Sequence, residues 1–305
     1  MIAAVTAPTR IAPRHRLNFA ISLGASLRAE LLKLGKRPAT WLIAAVWLLL
    51  NLGFGYVFPY LTYRGTPTGP HAEQSVPAEQ ILAEILPSGL AVTAIQGVPL
   101  FAGALALIFG VLVTGGEYGW LTVKTVLAQR PGRLALLGGK FAALAIALLA
   151  IMTVTFALNA VASALIASVE SRPLNWPSGL ELAQGFGAGL LIVGMWCALG
   201  ALAGIALRGT PLGIGLGLVW MLVVENLIRS FAALLGPVDA LQKLLPGTNS
   251  GALVAALAPP TSTGAEGTPG ITDVVSGQHA LIVVAVYLVS AVIAACLLFR
   301  HRDVV

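Results

Sequence analysis

A chain of 305 residues that is 57% hydrophobic and only 10% charged has too few ionisable side chains to coat a water-facing surface, where roughly 25% is usual. A soluble globular domain is therefore excluded. The net charge of +6 and the pI of about 9.7 argue for orientation in a bilayer rather than for nucleic acid, because the basic residues flank long apolar runs.

The amino-terminal segment carries Arg10, Arg14 and Arg16, yet the first long apolar run opens only near Thr40. That is too far in for a cleavable secretory signal, so the first run is expected to stay as a membrane anchor. Residues 1–39 then form a terminal segment containing "SLGASLRAELLKLGKRP". Leu23, Leu27, Leu31 and Leu34 fall on one helical face, and Glu30, Lys33 and Arg37 on another. This spacing predicts an amphipathic helix, ended by Pro38, either lying on the membrane surface with its basic face towards anionic headgroups or serving as a plain cap.

A spanning helix needs roughly 20 apolar residues, and six runs qualify: about 40–60, 91–114, 141–168, 182–207, 210–234 and 280–299. Pro99 is expected to kink the second. The turn Arg208-Gly209-Thr210-Pro211 forces the fourth and fifth to be antiparallel neighbours. The fold class is an all-α integral membrane protein, with residues 1–305 as one transmembrane domain. Between the first and second runs, "PAEQILAEILP" predicts a short helix with Ile81, Leu82, Ile85 and Leu86 on its apolar face. Residues 236–279, rich in Gly, Pro, Thr and Ser from 259 to 270, read as a long external loop.

An even number of spans puts both termini on one side. Fourteen of the 18 Lys and Arg residues lie on that side, whereas Arg64, Arg172, Arg229 and Lys243 lie opposite. The bias predicts cytoplasmic termini, and the abundance of Ala and Arg suggests a bacterial inner membrane. Within the spans, Thr155, Asn159 and Ser163 recur every four residues. They read as a substrate path, a subunit seam, or ordinary interhelical hydrogen bonding. Gly185/Gly189, Gly200/Gly204 and Gly213/Gly217 are close-packing pairs, expected to join helices of one subunit. Glu225 and Arg229, one turn apart beside Asn226, form either a headgroup-level pair or an outer gate. Cys197 and Cys296 lie inside apolar runs and imply no disulfide framework.

The cassette 115–140, "GGEYGWLTVKTVLAQRPGRLALLGGK", interrupts the apolar pattern. Its Gly119 and Lys124-Thr125 half-match a phosphate-binding loop, but Val123 stands where a glycine must precede the lysine. Nucleotide binding by this chain is therefore not expected, nor is catalysis: the four histidines form no ligand pair, and no metal motif is present. On a helical wheel Tyr118, Thr122, Thr125 and Gln129 make a polar stripe opposite Trp120, Val123, Val126 and Leu127. The pattern predicts a short amphipathic helix opening at Glu117 and broken by Pro131-Gly132.

Glu117, Tyr118, Thr122, Lys124, Pro131, Arg133 and Lys140 resemble the first cytoplasmic loop of ABC transporter permeases of the type-2 exporter class. Leu121 departs from that family's pattern, standing where Gly is usual. The segment "LRAELLKLGKRPATWL" and the six spans are similar to the same family. The resemblance implies that the cassette is a coupling helix, with Glu117, Tyr118, Thr122, Lys124, Arg133 and Lys140 at the docking site. It further implies a second permease subunit, two cytoplasmic ATPase subunits that bind ATP and Mg, surrounding membrane lipids, no cofactor in this chain, and an amphipathic substrate such as a lipid, drug or peptide. The alternatives are a non-transporting scaffold or immunity-type membrane protein, or an integral-membrane enzyme. The last would need clustered acids or histidines at one membrane depth.

Overall fold

The computed structural model describes residues 19–65, 77–119, 133–232, 234–258 and 268–301, with the backbone alone for 117–119 and 133. Among them no strand occurs. Helices suit a bilayer because they satisfy their own backbone hydrogen bonds where no water is available. Six are long and apolar enough to cross a membrane: Pro38–Arg64, Pro87–Gly116, Leu134–Val169, Gly179–Leu207, Thr210–Ala232 and Gly277–His301, here spans 1 to 6. Each overlaps one of the expected runs.

In chain order, α1 (Phe19–Lys36) precedes span 1, which is α2 (Pro38–Leu52) followed by α3 (Phe58–Arg64). The two are joined by a widened π turn, Gly53–Val57, just before Pro59, whose missing N–H removes one rung of the helical ladder. The short helix α4 (Ala78–Ile85) lies beyond. Span 2 contains α5 (Leu90–Thr93), a turn with a second π segment at Val98–Ala102, and α6 (Gly103–Gly119). Pro99 lies in that π segment, at the expected kink. Span 3 lies in α7 (Arg133–Val169) and span 4 is α8 (Gly179–Leu207). Span 5 joins α9 (Thr210–Val219) to α10 (Glu225–Ala232), and α11 (Gly236–Gln242), α12 (Pro246–Ala255) and α13 (Gly277–His301) complete the chain, the last being span 6. Between spans 4 and 5, Arg208 takes the left-handed conformation (φ 54°), which reverses the chain within the expected tight turn.

Spans 2 and 4 form the hub. Their most apolar windows are 61% and 56% buried, against 17–28% for the other four, so those four form the outer shell of the chain. The hub closes backbone to backbone. A Cβ on Gly110 would overlap the Cys197 carbonyl, and one on Gly200 would overlap that of Leu107. Of the remaining paired glycines, Gly185 meets Ala91, Gly204 meets Thr114, Gly213 meets Val111 and Gly217 meets Leu107, all on span 2, whereas Gly189 meets Met152 of α7 first and then Ile95 of span 2. These contacts lie within one chain, as expected for the small-residue pairs. Thr114 Oγ1 adds a bond to the Ala201 carbonyl (3.0 Å).

The side holding α1 and the end of α13 is sealed by Leu136, Leu137, Ile205, Ala295 and Phe299. On the opposite side, Leu82 and Ile85 of α4 bury against Tyr56, in line with the apolar face read from the sequence. The expected long loop 236–279 requires correction. Its helix α12 is buried from Pro246 to Val254 and packs against α13, α8 and the π segment of span 2. It is made of small residues, "PGTNSGALVA", and is covered on all sides. It therefore shows no amphipathic period in the sequence.

Candidate functional site

The terminal side carries the first constellation. Helix α1 packs on the start of α7, but it does so through Ser22, Ser26, Glu30 and Leu34, rather than through the leucine stripe alone. Leu23, Leu27 and Leu31 flank that face half-buried. Gly139 allows the approach, since a Cβ there would strike Ser26, and Ser26 Oγ donates to the Leu136 carbonyl (3.2 Å). Between the helices lies a buried ion pair: Lys140 Nζ is 3.0 Å from Glu30 Oε1, with each side chain 3% exposed. Lys33 Nζ reaches the same oxygen at 2.8 Å.

Two expectations change as a result. Glu30 is not on a headgroup-facing surface, and Lys140 is not available to a docking partner. Helical spacing places residues on a common face but does not say which face turns inward. Here small residues let one face close, and a buried ammonium needs its counter-charge. Lys33 remains at the rim and Arg37 is half-exposed, with the Arg37 N–H donating to the Lys33 carbonyl (3.0 Å) at the α1–α2 elbow.

Glu117 and Tyr118 lie on the last described turn of α6, continuous with span 2, and not at the start of a new helix. Arg133 opens α7. Thr122 and Lys124 lie outside the described residues, as do the side chains of Glu117, Tyr118 and Arg133. The helix α7 begins eight residues ahead of the expected third run, so 133–140 belongs to the third span's helix.

The stripe Thr155, Asn159 and Ser163 is fully buried within the chain, so it is neither an exposed seam nor an open path. Trp47 Nε1 donates to Thr155 Oγ1 (3.1 Å). Asn159 Nδ2 donates to Asn51 Oδ1 (2.6 Å), and Asn51 Nδ2 to the Ala94 carbonyl (3.0 Å) where span 2 is broken. Ser163 bonds back to the Ala160 carbonyl (3.1 Å). These contacts stitch spans 1, 2 and 3 together, the ordinary role of polar groups between membrane helices. The sequence signal for Asn51 was its solitary place in the first apolar run. Beside it, a cavity of about 150 Å³ opens between spans 1 and 2, lined by Asn51, Gln96, Phe54 and Phe101 and bounded by Thr268 and Pro269. Among the described residues its lining carries amides and aromatic rings but no charge.

The opposite side carries the second constellation. Glu225, fully buried, follows a π turn at Trp220–Val224. Its Oε2 accepts the Gly247 N–H (2.9 Å) and lies 3.4 Å from Arg229 Nη2. Arg229 Nε donates to Thr248 Oγ1 (3.3 Å). A carboxylate at a helix start suits the orphan N–H groups and the positive end of the dipole, so this pair holds the first turn of α12. Asn226 is not part of the cluster: it bonds back to the Leu222 carbonyl (2.8 Å) and is exposed. Glu225 and Arg229 were visible in the sequence, whereas Gly247 and Thr248 were not. The available signal was the uncharged stretch between Lys243 and Glu266.

A third cluster binds span 1 to the end of span 3. Glu170 accepts from Tyr60 Oη (2.8 Å) and Tyr63 Oη (3.3 Å), and Arg64 Nη2 lies 2.6 Å away. The Tyr60 hydrogen bond foremost, then the Arg64 charge against the opposing effect of burial, hold the Glu170 carboxyl below its ordinary pKa. Tyr60, Tyr63 and Arg64, one turn apart, were its sequence signal.

These features define a multi-pass α-helical membrane protein. No protein-family model matches the sequence, and no curated protein matches it.

Proposed function

We propose that this chain is the membrane-spanning permease subunit of an ATP-driven ABC exporter of the type-2 class. In this reading it pairs with a second permease subunit and with two cytoplasmic ATPase subunits that bind ATP and Mg. Its termini are cytoplasmic in a bacterial inner membrane, and the substrate is amphipathic.

The observation that carries the reading is the rigid footing of the cassette. On one flank, α6 continues helically from span 2 to Gly119. On the other, α7 starts at Arg133 and runs for 37 residues, roughly 55 Å at 1.5 Å per residue. Lys140 ties that footing to α1 through Glu30. A push on the intervening segment would be passed to spans 2 and 3 and to α1 together, as a mechanical joint requires. The cavity beside Asn51, uncharged among the described residues, suits the apolar or neutral part of an amphipathic substrate. The docking contacts assigned to this joint are Glu117, Tyr118, Thr122, Lys124 and Arg133, while Lys140 acts from inside.

The test is retention of an ATPase subunit on the purified chain, together with substrate-stimulated ATP turnover. Glu117→Gln keeps size and hydrogen-bonding reach but removes the charge. Loss of a charge-assisted contact in a desolvated interface costs roughly 2–5 kcal/mol, so assembly should weaken by more than tenfold while membrane insertion is unchanged. If Glu117→Gln, Glu117→Lys and substitutions at Tyr118 and Lys124 all leave assembly and turnover at wild-type levels, the joint is only a connecting loop.

A further inference from the structure

An apolar groove of about 460 Å³ runs along the bundle where α1 meets spans 1, 2 and 3. Its walls include Leu31 and Leu34 of α1, Ile43 and Trp47 of α2, Phe109 of α6 and Ile151 of α7. It starts at the α1–α2 elbow, where Gly35, Thr40 and Trp41 line it, and reaches Leu48 of span 1. From Pro38 to Leu48 the helix rises roughly 15 Å, half the roughly 30 Å of a bilayer core. The groove is therefore one leaflet deep.

Basic residues stand beside this end of the groove without lining it: Lys36 and Arg37 lie between Gly35 and Thr40 in the chain, and with Lys33 they line a separate shallow depression on α1. Among the residues whose side chains are described, the acid at this end is Glu30, which is buried against Lys33 and Lys140. Trp41 is 66% exposed, yet its indole is fixed by a bond from Nε1 to the Gly35 carbonyl (2.9 Å). An amphipathic ring held at that level is an interfacial anchor.

We propose that this groove holds one acyl chain of an anionic phospholipid from the leaflet on the terminal side, with the headgroup phosphate at Lys36 and Arg37. The inference does not rest on the transport reading. Hydrocarbon gains no hydrophobic energy on moving from lipid into an apolar groove, so selectivity comes from the headgroup. Each basic side chain near the surface favours an anionic lipid by roughly fivefold, and two together by roughly 25-fold.

The experiment uses the full chain, delipidated in nonionic detergent and titrated with dioleoyl phosphatidylglycerol or dioleoyl phosphatidylethanolamine. Native mass spectrometry reads the lipid retained. One phosphatidylglycerol should be held in preference to phosphatidylethanolamine. Lys36→Gln with Arg37→Gln should erase that preference and leave phosphatidylethanolamine retention unchanged. Ala44→Phe with Ala147→Phe, which fills the groove, should lower retention of both lipids. Val161→Phe, on an exposed part of α7 outside the groove, should change neither. If the filled groove prevents folding, the elbow variant alone decides. Equal retention of the two lipids by the wild type, or undiminished preference in the elbow variant, overturns the proposal. So does an intermolecular disulfide from Ile146→Cys in native membranes, because a second copy would then occupy the groove.

Discussion

Replacing Glu30 by Leu and Lys140 by Met, the two halves of one ion pair, should cost less together than the sum of the two replacements made singly. Both side chains are 3% exposed and 3.0 Å apart, so neither charge is relieved by water. Removing the carboxylate breaks a buried ion pair of Lys140, and breaking such a pair costs about 3–5 kcal/mol. Removing the ammonium leaves Glu30 with Lys33 at 2.8 Å, and Lys33 is 35% exposed. The loss there is one charged hydrogen bond, about 1.5–3 kcal/mol. The double variant should recover most of the stability, since well-packed apolar replacements of buried pairs are often neutral. Unfolding in mixed micelles, followed by loss of helical circular dichroism, gives the three free energies of the cycle. Additivity in the double variant would refute the argument that Glu30 and Lys140 act as a coupled buried pair.

Glu170 gives a pH dependence of fixed sign. Its folded pKa is depressed, so its contribution is present at neutral pH and is lost as the pH falls below the ordinary carboxylate value of about 4.3 and through the folded value. Thermal unfolding should show a larger acid-induced drop in the wild type than in Glu170→Gln, and equal drops would remove the cluster's role. Gly247→Ala should cost about 1–3 kcal/mol by overpacking, because its Cβ would meet the Glu225 carboxylate, whereas Gly236→Ala meets nothing within 4 Å and should be silent. Comparable stabilities for these two would place α12 elsewhere. In intact cells, cysteines at Thr68 and Thr263 should react with an impermeant reagent and one at Gln129 should not. External labelling at Gln129 would reverse the orientation.

The six spans were legible in the sequence because solvation by lipid is a one-dimensional property. A run of roughly 20 apolar residues must cross the bilayer whatever its neighbours do. The apolar face of α4 was legible for a related reason, since Leu82 and Ile85 recur at helical spacing between Pro77 and Pro87. Tertiary structure alone decided which way faces turn and which polar groups meet. The stripe Ser22, Ser26 and Glu30 turns inward because Gly139 and Lys140, more than 100 positions away, supply space and charge. Thr155 and Asn159 are closed off because Trp47 and Asn51 oppose them. Helix α12 left no periodic trace, since a helix of small residues covered on every side needs no apolar stripe. Its first turn is held by Glu225, which lies on another span. Each of these outcomes depends on pairwise distances that the order of residues along the chain does not contain.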